Sequence, residues 1–249
     1  MRARHPAGER AARRGRAQEP LAPGAPKRHR RSEHGRRANR PVAINLARAL
    51  GKPHLRVAAF DDGAFTRRHR YAPVAGVVYA PPGLLDALVR GRVRVDGLDA
   101  TETIVALWAA GGFGEGPRAI LLDGISLGGF NLIDLDRLHR ATGRPVVSIT
   151  RRRPEYAEMR RALATYFSST LRERWRRLRA HRLFPVLLNG STRFLAAVGC
   201  SRAEAALLVR RVTVRGAWPE PLRLAGLLAR ASTRTIKPPR AAPRLGPVA

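Results

Sequence analysis

Five short runs set the strongest limit on how this chain folds: Arg56–Phe60, Val74–Ala80, Arg92–Val95, Ala119–Leu122 and Val146–Ile149. Each has the length of a β-strand, and the segments between the later ones have helical spacing. The first three follow one another with nothing helical between them, which predicts an antiparallel meander. In Arg92-Val-Arg-Val95 the alternation directs Val93 and Val95 to the core and Arg92 and Arg94 to water. Ile104, Leu107 and Trp108 then make one helix face, opened by a capping box at Asp99 and Glu102 and stopped at Gly111-Gly112. Ala119–Leu122 is wholly apolar and reads as a central strand parallel to the first. Asn131 is placed to cap a helix bearing Leu132, Leu135 and Leu138. Pro154 opens one long helix with the stripe Met159, Leu163, Phe167, Leu171, Trp175 and Leu178. Its other faces carry Arg172, Arg174, Arg176, Arg177 and Arg179, which are expected in solvent, available to a polyanion. Val186–Val198 reads as a hairpin, with helices at Arg202–Arg211 and Pro219–Ala231 after it.

The order β-β-β-α-β-α-β-α is that of the ribonuclease H-like α/β fold. The expectation is a mixed five-stranded sheet with flanking helices, plus a small C-terminal α+β extension. Residues 55–231 carry this domain. Residues 1–54 read as a disordered Arg-rich extension, because thirteen Arg and Lys with Pro, Gly and Ala in the first forty residues leave almost nothing to bury. The stretch 232–249 reads as a second disordered tail. The single cysteine, Cys200, rules out a disulfide framework and fits a reducing cytoplasm. No apolar run approaches the ~20 residues of a membrane helix, so no membrane association is expected.

Charge is distributed unevenly. The chain has a formal net charge of +30, yet segment 55–149 holds ten of the eighteen acidic residues against eleven arginines. Asp61-Asp62-Gly63, Asp96-Gly97 and Asp123-Gly124 each close a strand there. Asp-Gly is a common turn signal, since Asp bonds its own backbone and Gly accepts positive φ. Repetition at strand ends points further, to carboxylates gathered for a hard cation such as Mg²⁺ or Mn²⁺. Strands one and four lie side by side in this architecture, about 4.8 Å apart, so Asp61 and Asp123 form the best pair. Asp62 points to the other side of the strand by the two-residue period. Asp96, one strand further off, is a candidate third ligand. The catalytic candidates are Asp61, Asp62, Asp96 and Asp123, and the metal candidates Asp61, Asp96 and Asp123. Asp99 reads as a helix cap, and Asp134 and Asp136 as solvated. Gly128-Gly129 allows a close backbone approach. Arg151-Arg152-Arg153 stand at the same sheet edge as the acids, where they suit a phosphate clamp. The seven histidines show no ligand spacing, which argues against zinc.

Phe60-Asp-Asp-Gly-Ala-Phe65, Gly76-Val-Val-Tyr79, Val95-Asp-Gly-Leu-Asp-Ala-Thr101, Leu121-Leu-Asp-Gly-Ile-Ser-Leu-Gly-Gly-Phe-Asn131 and Pro219-Glu-Pro-Leu-Arg-Leu-Ala225 together resemble the endonuclease dU family. That family is related to endonuclease V. The resemblance implies a ribonuclease H-like fold, divalent-metal-dependent cleavage of DNA near deoxyuridine, and a place in DNA repair. It places Asp61 at the first-strand metal aspartate, Asp123 at the fourth-strand Asp-Gly and Asp96 near the third-strand acid. Gly124, Ser126, Asn131, Arg151 and Arg152 are the nucleic-acid-binding candidates. Two departures stand out: Ala59-Phe60 replaces Gly-Ile at the end of the first strand, and Gly226 stands where relatives often have His. The competing reading is a non-catalytic nucleic-acid-binding protein with a vestigial site. The basic surfaces serve both readings, whereas only an enzyme needs the acids together.

Overall fold

The computed structural model describes residues 44–113 and 116–232. Most of the two expected tails, residues 1–43 and 233–249, lies outside the described residues. The folded part nevertheless begins earlier than residue 55. Asn45 caps a short helix, α1 (Leu46–Leu50), whose Leu46, Ala49 and Leu50 are buried with Leu55 in the core. Arg211 fastens this segment by donating to the Leu50 and Lys52 carbonyls.

The strands are β1 (Val57–Asp62), β2 (Tyr71–Ala80), β3 (Leu84–Arg94), β4 (Ala119–Asp123), β5 (Val146–Thr150), β6 (Phe184–Leu188) and β7 (Ser191–Val198). They form one seven-stranded sheet in the order β3-β2-β1-β4-β5-β7-β6. β1, β4 and β5 are parallel neighbours, and β2–β3 and β7–β6 are antiparallel hairpins at the two edges. The five expected strands are all present. The late hairpin does not form a separate extension but enlarges the sheet, because β7 pairs with β5 from Val146↔Val198 to Thr150↔Phe194 and so covers what would be an open edge.

The helices are α2 (Ala100–Ala110), α3 (Leu135–Thr142), α4 (Tyr156–Tyr166), α5 (Leu171–Arg179), α6 (Arg202–Arg211) and α7 (Glu220–Ala231). Alternation along the buried strands divides them between two layers. Val57, Ala59, Val77, Leu121, Val147 and Ile149 face α1, α6 and α7. Ala58, Phe60, Val74, Val78, Ile120 and Leu122 face α2 and α3. With both faces covered, β1 and β4 read as continuous apolar runs.

Three sequence expectations fail at this level. The helix after Pro154 is two helices: Phe167 leaves helical geometry at φ −139°, ψ 40°, and Ser168–Thr170 form a 3₁₀ turn before α5 starts. Ser and Thr offer the backbone local bonds that compete with a helix interior. The two helices fold around Leu132, Leu163 and Leu178. Asp134, not Asn131, caps α3, accepting from Arg137 N at 2.8 Å. The Asp99–Glu102 capping box does not form. The Asp99 carboxylate accepts from Asn131 Nδ2 at 2.6 Å, and Glu102 pairs with Arg137 at 2.5 Å. Among the described residues no helix is long and apolar enough to cross a membrane.

Candidate active site

Asp61 and Asp123 meet because of strand pairing. Phe60 lies opposite Leu122 in the β1–β4 ladder, so the next residue on each strand brings the two aspartates side by side where the strands end. Both also fall on the face that carries Ala59 and Leu121, beneath α7. Asp62, one residue on, faces the other layer, as the two-residue period requires. There its Oδ2 accepts from Gly128 N at 2.5 Å, while Asp61 Oδ1 accepts from Asp62 N at 2.8 Å. Gly128 and Gly129 hold φ values of +64° and +91°, and this glycine turn is what lets a backbone N–H reach Asp62.

Asp61, Asp62 and Asp123 line one cleft of about 360 Å³, whose other walls include Arg151, Trp218, Leu222, Arg223 and Arg230. Arg151 stands 3.5 Å from Asp123 Oδ2 and lies over the Trp218 ring, 3.7 Å from its centroid. Its guanidinium is thus held between a carboxylate and an indole. Asp61 is only 9% exposed. Burial, reinforced by the charges of Asp123 and Asp62, pushes its carboxyl up to about 7 from 3.8. Burial also raises Asp62 and Asp123, the latter against the lowering pull of Arg151. Carboxylates held this way bind a proton, or another cation, more tightly than free ones do.

A pH dependence follows. The folded state holds the Asp61 proton more tightly than the unfolded chain, so this group's contribution to stability is complete below pH 3.8 and is lost as pH rises to about 7. Without divalent cations the protein is expected to be less stable at pH 8 than at pH 6 by about 1–2 kcal/mol. Chelated samples melted at both pH values check this. A higher melting temperature at pH 8 would refute it.

α7 is the wall that closes the cleft. A Cβ on Gly226 would lie 2.4 Å from Asp61 Oδ2 and 3.1 Å from Arg230 Nη1. No larger residue fits at position 226 while Asp61 keeps its place.

The comparisons with known proteins fit this geometry. A family model described as endonuclease dU matches residues 53–233. The chain belongs to the endonuclease dU family. It is 38% identical over 184 residues to a UPF0215 protein of Thermococcus gammatolerans, covering 72% of this chain and 93% of that one. A UPF0215 protein of Methanosarcina mazei is 33% identical over 181 residues, covering 72% and 90%. Among solved structures, a protein of unknown function from Archaeoglobus fulgidus superposes with a TM-score of 0.63 at 31% identity, covering 72% of this chain and 98% of that one. The catalytic domain of human endonuclease V gives 0.50 at 16% identity, covering 78% and 89%. Ciona intestinalis endonuclease V, in complex with a 23mer DNA containing an inosine followed by a ribo-adenosine, gives 0.50 at 15% identity, covering 72% and 85%. These last two likenesses show that the fold is the ribonuclease H-like one.

In this endonuclease dU family member the remaining candidates are dispersed. Asp96 follows β3, an edge strand separated from β1 by β2, and does not line the acidic cleft. It sits at φ +55°, its Oδ1 accepting from Phe130 N at 2.8 Å, and so braces the glycine turn rather than facing Asp61 and Asp123. Among the described residues no three His, Cys, Asp or Glu side chains are grouped to hold a metal ion. Asn131 is fully buried, its Oδ1 accepting from Ala100 N and its Nδ2 donating to Arg94 O and Asp99, so nucleic acid cannot reach it. Gly124, Ser126 and Arg152 line a neighbouring cavity of about 340 Å³ with Tyr156 and Met159. Arg151 alone of the nucleic-acid candidates lies in the acidic cleft. Trp218, Arg223 and Arg230 went unread as site residues. Their sequence signal is the Pro219-Glu-Pro-Leu-Arg223 motif, which contains Arg223 and adjoins Trp218, with no spacing that ties it to the acids.

Proposed function

We propose that this protein is a divalent-metal-dependent endonuclease that hydrolyses phosphodiester bonds in DNA near deaminated bases, deoxyuridine among them. One observation carries the reading: two carboxylates, Asp61 buried and Asp123 partly buried, stand side by side at the ends of adjacent parallel strands, in a cleft lined by arginines. Family membership and the fold shared with a DNA-bound endonuclease V support it. The donor set fits a hard cation. Asp61 and Asp123 supply anionic oxygens on one face, and burial of Asp61 beside the other carboxylates favours a bound cation there. Asp62 is a weaker candidate ligand because one of its oxygens is engaged by Gly128. Mg²⁺ or Mn²⁺ bound there would acidify a water and offset charge gathering on the phosphodiester.

The chain's own groups do the rest. Arg151 and Arg230 line the cleft and are positioned to hold the non-bridging oxygens of the phosphodiester, while Arg223 lines it with its guanidinium paired to Glu220. Trp218 keeps the Arg151 guanidinium oriented when a phosphate draws it away from Asp123. The reaction adds water to phosphorus, breaks one ester P–O bond and protonates the departing oxygen.

The deciding experiment incubates the protein with Mg²⁺ or Mn²⁺ and duplexes carrying uracil, hypoxanthine or no lesion. Cleavage near uracil in preference to intact duplex is expected. The non-catalytic alternative draws on the missing third ligand, and it predicts binding of all three duplexes with none cut. Gly226→Ala tests the cation site independently. A methyl group against Asp61 Oδ2 is expected to lower Mn²⁺ affinity roughly 10–100-fold without unfolding the protein. Calorimetric titration with Mn²⁺ reads this, and unchanged affinity would remove Asp61 from the site.

A further inference from the structure

The two faces of β3 are unlike. Val89, Gly91 and Val93 turn toward α2, so closely that a Cβ on Gly91 would lie 2.9 Å from Leu107. On the opposite face Arg90, Arg92 and Arg94 alternate along the strand, all exposed. α7 packs there on β1, β2 and β4 rather than on β3. Two residues of strand advance about 6.8 Å, so the three guanidiniums leave the sheet at even spacing. Pairing fixes where the row begins. Arg90 is opposite Ala75, and Ala75 is opposite Asp61, so Arg90 and Asp61 share a row and a face. From that level the row runs outward, past the edge where the acids stand.

Arg70 extends it. Its carbonyl accepts from Val95 N at 3.1 Å, and its guanidinium lies 5.4 Å from the Tyr71 ring centroid, with Arg92 at 4.7 Å from the same ring. Among the described residues none of these four arginines makes an ion pair. Charges on an edge strand also discourage strand-to-strand association. That role requires only solvated charge and gives no reason for two guanidiniums on one tyrosine.

We propose that Arg70, Arg90, Arg92 and Arg94 form a docking stripe for the sugar–phosphate backbone of duplex DNA, gripping the flank of the strand whose phosphodiester enters the acidic cleft. The proposal rests on the nuclease reading for the identity of the polyanion, and its test measures binding rather than cleavage. A variant combining Arg90→Gln, Arg92→Gln and Arg94→Gln, all at exposed positions, is titrated against a fluorescent duplex in EDTA across a series of KCl concentrations. Each lost phosphate contact removes about 0.9 from the log–log salt slope, so the slope should flatten by about 2–3. Affinity at the lowest salt should fall at least about tenfold. A control combining Arg140→Gln, Arg202→Gln and Arg210→Gln, exposed on α3 and α6, loses the same charge and should change the slope by less than about 1. Equal effects from the two variants would reduce the stripe to diffuse charge and overturn the proposal. So would an unchanged slope, or self-association in light scattering as the variant's sole defect. Wild-type protein that binds with the stripe-dependent slope yet cuts no duplex would uphold the stripe while removing the nuclease reading.

Discussion

Asp61→Asn and Asp123→Asn should each reduce divalent-cation-dependent cleavage by about 10³-fold or more, a loss of roughly 4 kcal/mol of transition-state stabilisation. Each change keeps the side chain's size and removes an anionic oxygen from the pair. The fold should survive. Asp61→Asn is in fact expected to raise the metal-free melting temperature at pH 8, because burial and two neighbouring carboxylates penalise the charged form there. The two readouts move in opposite directions, which separates a functional role from a structural one. Wild-type cleavage rates in both variants would sink the assignment of the pair. A lower melting temperature for Asp61→Asn would show that its charge is compensated in a way the cleft geometry does not reveal.

Arg174→Met should destabilise the fold strongly. Arg174 is 4% exposed. Its guanidinium donates to the Asp96, Gly97 and Phe130 carbonyls, its Nε to Thr170 Oγ at 2.8 Å, and it lies over the Phe167 ring. One side chain thereby ties α5 to the turn after β3 and to the glycine turn after β4. Methionine fills most of the volume but leaves three carbonyls without a donor, at about 1–3 kcal/mol each, partly offset by the desolvation that arginine no longer incurs. A net loss of about 3 kcal/mol corresponds to roughly 6–12 °C in melting temperature for a domain of this size. Chemical denaturation measures it directly. A change below about 1 kcal/mol would mean that water replaces the guanidinium without penalty.

What could be read from the sequence is what the backbone period carries. β1 and β4 announced themselves as apolar runs because both of their faces are covered. Asp61 and Asp123 could be paired because a parallel ladder leaves little freedom in register. The same period put Asp62 on the opposite side. β3 was legible only in its last residues, since Leu84, Leu85 and Leu88 are exposed and do not alternate with polar residues as a half-buried strand would. Polar side chains were harder to read. Asn131 looked like a helix cap and Arg174 like a solvated charge, because sequence spacing does not show which carbonyls need a distant donor. Asp96 carries the same Asp-Gly signature as Asp123, yet one braces a turn while the other lines the cleft. The difference lies in strand order, since β3 is at the edge and β4 at the centre. Trp218 gained its meaning only when α7 was seen folding back over β1.

That return of α7 also bears on when the site comes into being during synthesis. The acids sit on β1 and β4, while Arg223, Gly226 and Arg230 lie on α7, the last helix among the described residues, and Trp218 in the turn just before it. A ribosome emits β1 through β5 well before α7. Until then the sheet can form with Asp61 and Asp123 open to water and with Arg151 beside them, but without Trp218 to hold that guanidinium and without Arg230. The unfinished chain therefore carries the carboxylates and one loosely held arginine, and the cleft is completed only when α7 has emerged and docked.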